Sequence, residues 1–277
     1  MTGARVVRSG DGAYAVAVAE LPLRARRGVT VEGAIVVIGG EVGWGRRVRQ
    51  ALDDGAAAIV LSDPVSIAGD EQVEASGAER RAPVIVDRPR LRMDVRDDAG
   101  RPGRPPRAVQ VECSAALADV EAVLRDGIGW ARTLAGGALE LVTVRETPRG
   151  LTVLLERPAG IDLDSALTAT IVLGRREASP WLRGLAIDVV RTEVIIEDAT
   201  GTATVDIADR GGHSQPPPRY ERSERLSLRR ALDALDGGEH PLDLSELEHD
   251  SALGRLILAR ARGINESDTG DSHTRIP

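Results

Sequence analysis

Four histidines, one cysteine and no lysine bound the chemistry open to this chain of 277 residues. All 36 basic residues are arginine, so a Schiff-base lysine, a lysine general acid and a P-loop lysine are excluded. His213, His240, His249 and His273 have no metal-ligand spacing and read as surface residues. Cys113 lies in an apolar stretch, where a small core residue is the expected role, and a single cysteine excludes an intrachain disulfide. Asp162 and Asp164 in GIDLDS could pair as carboxylates, although a turn face explains them more simply. Asp87-Arg88-Pro89 follows an apolar run and is either a pocket-facing group or a structural strand end. Nucleophile elbow, zinc-protease and dithiol motifs are absent from the sequence. Gly40-Glu41-Val42-Gly43-Trp44-Gly45 carries an acidic residue where a phosphate would approach, so it reads as a strand-to-helix turn.

The bulk composition narrows the class. A net charge of -7 argues against a nucleic-acid partner, and five aromatic residues leave little for base stacking. No apolar run approaches the roughly 18–20 residues of a membrane helix. The N-terminus lacks the order of a signal peptide, so the expected location is cytoplasmic.

The elements that must position these residues fall into two grammars. In the first half, the runs 34–38, 57–61 and 83–86 read as buried parallel strands, with helices expected over 46–54 and, weakly, 69–80. Tyr14–Ala19 reads as a further strand, and its connection to Ala34 looks too short for another strand–helix unit. Residues 88–107 hold seven arginines and lose apolar periodicity after Met93, which predicts a helix start and then a solvated linker. In the second half, a strand at 109–113 and a helix over 115–134 precede alternating runs at 138–144, 151–156, 166–173, 185–190, 192–197 and 203–207. That pattern predicts a mostly antiparallel sheet. Helices are expected over 223–236 and 244–262, the second capped by Asp243 or Ser245, before a disordered tail.

This order resembles the Gfo/Idh/MocA oxidoreductases, which are two-domain NAD(P)-dependent enzymes acting mostly on sugars and polyols. Asp54–Pro64 (DGAAAIVLSDP) is similar to the family's strand that ends beside the nicotinamide ribose. Pro83–Pro89 (PVIVDRP) resembles its "EKP" strand end. Asp126–Gly136 (DGIGWARTLAG) resembles the helix bearing the catalytic histidine, and Glu197–Val205 (EDATGTATV) its glycine hairpin. The resemblance implies cofactor-binding roles for Ser62, Asp63, Pro64 and Pro89, and substrate-binding roles for Asp87, Arg88, Asp126 and Trp130.

The departures from the pattern remove its chemistry. No G-x-G-x-x-G follows a strand, and the chain before Ala34 is short for a full first mononucleotide half. Arg88 and Asp87 stand where the family has lysine and glutamate, and either register puts Gly129 or Trp130 at the histidine. No catalytic or metal-binding residue is therefore assigned.

The expected fold is a shortened Rossmann-like α/β domain over 1–107, an open antiparallel-sheet domain backed by helices over 108–262, and a tail over 263–277. The expected function is a degenerate family member with weak or no cofactor binding, serving as a partner, scaffold or subunit for a sugar-like ligand. By the resemblance, its open sheet would mediate a homo-oligomer or a heteromer with an intact oxidoreductase. The alternative is an active NAD(P)-dependent sugar oxidoreductase with Arg88 orienting the substrate.

Overall fold

Runs such as Ile35-Val36-Val37-Ile38 are apolar on both pleat faces, so they form stable strands only where helices cover each side. The computed structural model describes residues 4–64, 77–99, 106–158, 167–176, 179–238 and 241–263, and it meets that requirement. Strands β1 (Arg5–Arg8), β2 (Ala25–Arg27), β3 (Ile35–Gly39), β4 (Ala58–Ser62) and β5 (Val84–Asp87) form one parallel sheet in the order β2-β1-β3-β4-β5. Helix α1 (Gly12–Ala19) links β1 to β2, α2 (Trp44–Asp53) links β3 to β4, and α3 (Met93–Ala99) follows β5. The direction of winding reverses between β1 and β3, which makes that boundary the switch point of the sheet.

Three expectations for the N-terminal region are corrected. Tyr14–Ala19 is helix α1, not a strand. Its alternating Ala and Val are all apolar and so carry no period of two. Asp11 decides the matter as N-cap, accepting the Ala13 N–H at 2.8 Å. The chain before Ala34 therefore does hold a strand–helix–strand unit. The unit is shortened all the same, since residues 28–34 join β2 to β3 with neither helix nor strand. Finally, the turn after β1 reads Gly10-Asp11-Gly12-Ala13-Tyr14-Ala15, the G-x-G-x-x-A form of a dinucleotide turn.

The second sheet has eight strands in the order β13-β12-β11-β10-β6-β9-β8-β7. They are β6 (Ala108–Ala115), β7 (Glu140–Thr147), β8 (Gly150–Glu156), β9 (Thr168–Arg175), β10 (Trp181–Ile187), β11 (Arg191–Glu197), β12 (Thr202–Asp209) and β13 (Gly212–Ser214). All neighbours are antiparallel except β6 and β9, so the sheet is mixed. Residues 188–190, expected to extend β10, form the turn to β11 instead. One face packs on α4 (Val120–Ala135), a long helix whose Val123, Leu124, Ile128 and Ala131 are fully buried. The other face carries Leu154, Val172, Leu185 and Ile195 with Thr152, Thr170, Arg183 and Glu193, and no helix among the described residues covers it.

The chain then returns to the first sheet. Helix α5 (Ser223–Leu235) lies beside α1, with Leu228, Ala231 and Leu232 against Val60 and Ile85. Helix α6 (Asp243–Ala261) begins on the opposite face, where Leu244 and Leu247 join Trp44, Val48 and Leu61, and it continues along α4. Its cap differs from expectation. Leu242 is the N-cap, and the Asp243 carboxylate turns outward to accept the Val86 N–H at 2.9 Å and both Arg230 Nη atoms at 2.7 and 2.8 Å. Val86 lies on edge strand β5, so a carboxylate satisfies a donor that a sixth strand would otherwise take. The helix proposed for 69–80 lies largely outside the described residues, as do Asp162, Asp164, His240, His273 and the tail beyond 263.

Replacing Asp243 with Ala leaves Arg230 and the Val86 N–H unpaired on or beside a buried edge. A loss of about 3 kcal/mol is expected in urea unfolding, with the m-value unchanged.

Candidate functional site

Strands β4 and β5 end side by side at the carboxyl edge of the parallel sheet, and this places Ser62-Asp63-Pro64 next to Asp87-Arg88-Pro89. Asp63 adopts φ 37, an uncommon left-handed conformation for a residue other than glycine. Helix α4 crosses directly over this edge. The eight residues expected to form a site are thus gathered in one region, where Arg88 and Asp126 close on one another.

Arg88 is the centre of that closure. Its Nε donates to Asp126 Oδ1 at 2.9 Å, its Nη1 to Asp250 Oδ2 at 2.7 Å, and its Nη2 to the Arg125 carbonyl at 3.0 Å. Its side chain is 4% exposed, and both carboxylates are fully buried. The network continues through Arg132, which donates to Asp250 Oδ1 and Glu246 Oε2, each at 3.0 Å. Glu246 also accepts Arg96 at 2.6 and 3.1 Å. On the other side Arg125 reaches Asp126 Oδ1 at 3.1 Å and also donates to the Pro64 carbonyl. Arg90 pairs with Asp198 at 2.7 Å. A helix start and then a solvated linker were expected over 88–107; the helix forms at Met93–Ala99, while Arg88, Arg90 and Arg92 before it are buried. Arg92 pairs locally with Asp94 at 2.6 Å, but the acceptors of Arg88 and Arg90 come from α4, α6 and the β11–β12 hairpin, up to 162 positions away, which no local pattern reveals.

Charge inside the network is fixed by these pairs. Burial pushes Asp126 up, but the guanidinium groups of Arg125, Arg88 and Arg90 outweigh it and hold the carboxyl below the usual range. Glu246 is likewise held down to about 2, with Arg96 and Arg132 overcoming its burial. Arg88 is raised although burial opposes its charge, because Asp126 and Asp250 face it. None of these groups can exchange a proton near neutral pH, so none can serve as a general acid or base.

Trp130 is core, not pocket wall. It is fully buried, and its Nε1 donates to the Arg90 carbonyl at 2.6 Å. One turn position earlier, a Cβ on Gly129 would lie 2.5 Å from Leu91 Cδ2 and 2.9 Å from both Arg88 Nη2 and Asp250 Oδ2. No side chain fits at position 129. Gly40 closes the adjacent gap, since a Cβ there would sit 2.2 Å from the Pro64 Cα. The β3–α2 turn therefore packs directly against the end of β4.

Asp87 points the other way, toward α1 and α5. Tyr14 donates its hydroxyl to Asp87 Oδ2 at 2.5 Å, and Ser223 bonds the same carboxyl. Burial raises this carboxyl to about 6, with Glu224 adding to the shift against the Tyr14 hydrogen bond. Of the eight, Pro89 lines a cavity of about 380 Å³ that it shares with Asp198, Thr202, Tyr220 and Glu224, while Asp63 is exposed and Ser62 half-buried. Cys113 is buried with its thiol pushed up to about 12, while His213 and His249 are exposed. Among the described residues no His, Cys, Asp and Glu cluster could hold a metal ion, and no helix is long and apolar enough to cross a membrane.

The sequence matches no protein-family model and no curated protein. Solved structures do match. UDP-N-acetylglucosamine 3-dehydrogenase GnnA from Acidithiobacillus ferrooxidans superposes with a TM-score of 0.68 at 14% identity, covering 95% of this chain and 99% of that one. The dehydrogenase MviM from Clostridium difficile gives 0.62 at 8% identity, over 92% and 90% of the two chains. KijD10, a 3-ketoreductase from Actinomadura kijaniata in complex with TDP-benzene and NADP, gives 0.58 at 16% identity over 93% and 97%. The chain has the fold of the Gfo/Idh/MocA-type dehydrogenases.

Within that Gfo/Idh/MocA-type fold, the β1–α1 turn occupies the place of the dinucleotide loop. The signal that could have found it was present in Gly10-x-Gly12-x-x-Ala15, but it was masked by reading Tyr14–Ala19 as a strand. Asp11 at its centre caps α1 with a carboxylate, an internal anion where a pyrophosphate would lie. Arg90, Arg125, Glu246 and Asp250 carried no sequence signal of their own.

Asp87 offers a measurable consequence. Its carboxyl binds a proton more tightly folded than unfolded, so this group lowers stability as pH rises from about 4 to 6, and the loss persists above 6. Asp87→Asn removes that slope and is expected to gain about 2 kcal/mol over the native chain at pH 7, but nothing at pH 4, in paired urea titrations.

Proposed function

We propose that this chain is a non-catalytic Gfo/Idh/MocA-like protein that transfers no hydride and acts as an assembly or ligand-binding subunit. The observation that carries the reading is the closed interior at Arg88, Gly129 and Trp130. The arginine is consumed by Asp126 and Asp250, position 129 admits no side chain, and the indole fills the space beside it. Hydride transfer needs a substrate hydroxyl within reach of a proton acceptor beside the nicotinamide. Here Arg88 and Asp126 are buried and held in their charged forms. The Asp11 carboxylate at the α1 N-terminus further disfavours a dinucleotide phosphate.

The G-x-G-x-x-A turn supports a second reading, an NAD(P)-dependent oxidoreductase of sugars or polyols. The NADP held by KijD10 is consistent with it. Calorimetric titration with NADH and NADPH separates the two. The non-catalytic reading expects no dinucleotide Kd tighter than roughly 10 µM. Micromolar, saturable dinucleotide binding, or turnover of any sugar, establishes the second reading in its place.

The uncovered face of the eight-stranded sheet is the proposed assembly surface. Leu154, Val172, Leu185 and Ile195 form its apolar centre, with Arg183 paired to Glu193 at 2.5 Å beside them. An apolar patch ringed by charge suits a second copy of the chain, or a related sheet from an intact oxidoreductase. Light scattering is expected to give a mass about twice 29.4 kDa, falling to the single-chain mass in a Val172→Arg, Leu185→Glu double variant. A monomeric native chain rules out the self-association arm.

A further inference from the structure

The cavity of about 380 Å³ beside Pro89 lies between the β11–β12 hairpin and the first turn of α5. Arg88, Asp126 and Trp130 do not line it. Pro89, Ile196 and Ala203 give it apolar surface, and its volume is at the small end for ligand pockets.

Most polar groups on its lining are already matched. Asp198 accepts Arg90 at 2.7 Å, and Arg92 donates to Asp94 at 2.6 Å. Glu221 accepts Arg225 at 3.1 Å and Arg229 at 2.8 Å. The hydroxyls of Ser223 and Thr202 are taken by Asp87 and Thr200.

Three charged side chains remain. Glu224 is half-buried and has no hydrogen bond or ion pair among the described residues. Arg222, two positions before it, is exposed and equally unpaired, and the two do not meet each other. The first turn of α5 has no side-chain cap, so its N–H groups add donors beside Arg222. Across the cavity, the exposed Glu197 carboxylate accepts only the Thr200 hydroxyl at 3.2 Å and keeps lone pairs for further donors. The charge of Glu224 also reaches Asp87, whose carboxyl it helps to raise, so a cation placed on Glu224 relieves both.

An α-amino acid carries an ammonium and a carboxylate on one carbon, and Glu224 and Arg222 can receive that pair side by side. Glu197 leaves room for a second cation at the far end of the same molecule. We propose that this cavity binds a basic α-amino acid, its α-ammonium on Glu224, its carboxylate on Arg222 and its side-chain cation on Glu197. The intervening methylenes lie on Ile196 and Ala203. A neutral sugar fits poorly, because its hydroxyls need free donors as well as acceptors and most donors on the lining are committed. The proposal goes beyond the non-catalytic reading and does not rest on it, since the residues that carry that reading lie outside the cavity.

The test is calorimetry on the full chain with L-lysine, norleucine and cadaverine at neutral pH. Norleucine lacks only the side-chain ammonium of lysine, and cadaverine only its carboxylate. L-lysine is expected to saturate with a Kd of roughly 10–500 µM, and each analogue to bind about tenfold more weakly or worse. Arg222→Gln and Glu197→Gln should each lose about tenfold in affinity for lysine. Both side chains are exposed, so the melting temperature should not change. No saturable heat up to about 10 mM lysine overturns the proposal. Either analogue binding as tightly as lysine, or an unchanged affinity in either variant, overturns it as well. Failure of the non-catalytic reading gives a different result, micromolar dinucleotide binding with the lysine titration intact.

Discussion

The Arg88 guanidinium, sealed between Asp126 and Asp250, is the contact on which the rest of the molecule depends. A buried cation is tolerable only when its donors are met by acceptors held in place, and here Arg88 follows β5 while its three partners come from α4 and α6. Those elements belong to both sheets. The same three hydrogen bonds that stabilise the guanidinium therefore fix the position of the second sheet relative to the first. Arg132, Glu246 and Arg96 extend the lock along α4 and α6, so that a helix closing the chain also braces its middle. The use of arginine throughout matters here, because a planar fork can hold two carboxylates and a carbonyl at once where an ammonium group could not match the geometry.

The energetic balance of such a network differs from that of an open active site. Removing a charged partner from this interior leaves its mate buried and uncompensated, a cost of several kcal/mol. An open active site needs the reverse condition, polar groups held ready but unpaired until substrate arrives. At Arg88 three donors are met within the protein, while Asp126 Oδ2 is buried with no hydrogen-bond partner among the described residues, and a side chain at position 129 would press on Leu91 and on the ion pair.

Much of the fold was legible because its signals are local. The apolar runs ending at Ser62 and Asp87 read as buried strands, and the alternation in Val194 and Ile196 announced a sheet with one covered face. Tyr14–Ala19 misled because alanine and valine alternate without differing in polarity, so the decisive residue was the cap at Asp11. At the site, the resemblance named residues that the fold brings close together, but their surroundings were not legible. Asp87, Arg88, Asp126 and Trp130 are indeed neighbours in the fold, but whether a residue lines a cleft or fills it depends on Asp250 and Glu246, more than a hundred residues downstream of that cluster. Spacing within a motif cannot report on a partner at that distance.

The Asp243 carboxylate on the edge of β5 has a bearing on how the protein behaves at high concentration. A parallel sheet exposes two borders of unpaired amides, and each is a template on which another chain could nucleate. On one border a buried acid already holds the available donor, so an incoming strand would have to expel it and strand Arg230. The other border is β2, only three residues long and ending in Arg26-Arg27, where a second copy meets like charge. Both borders are thus unreceptive to fibril growth, by a plug at one side and by repulsion at the other.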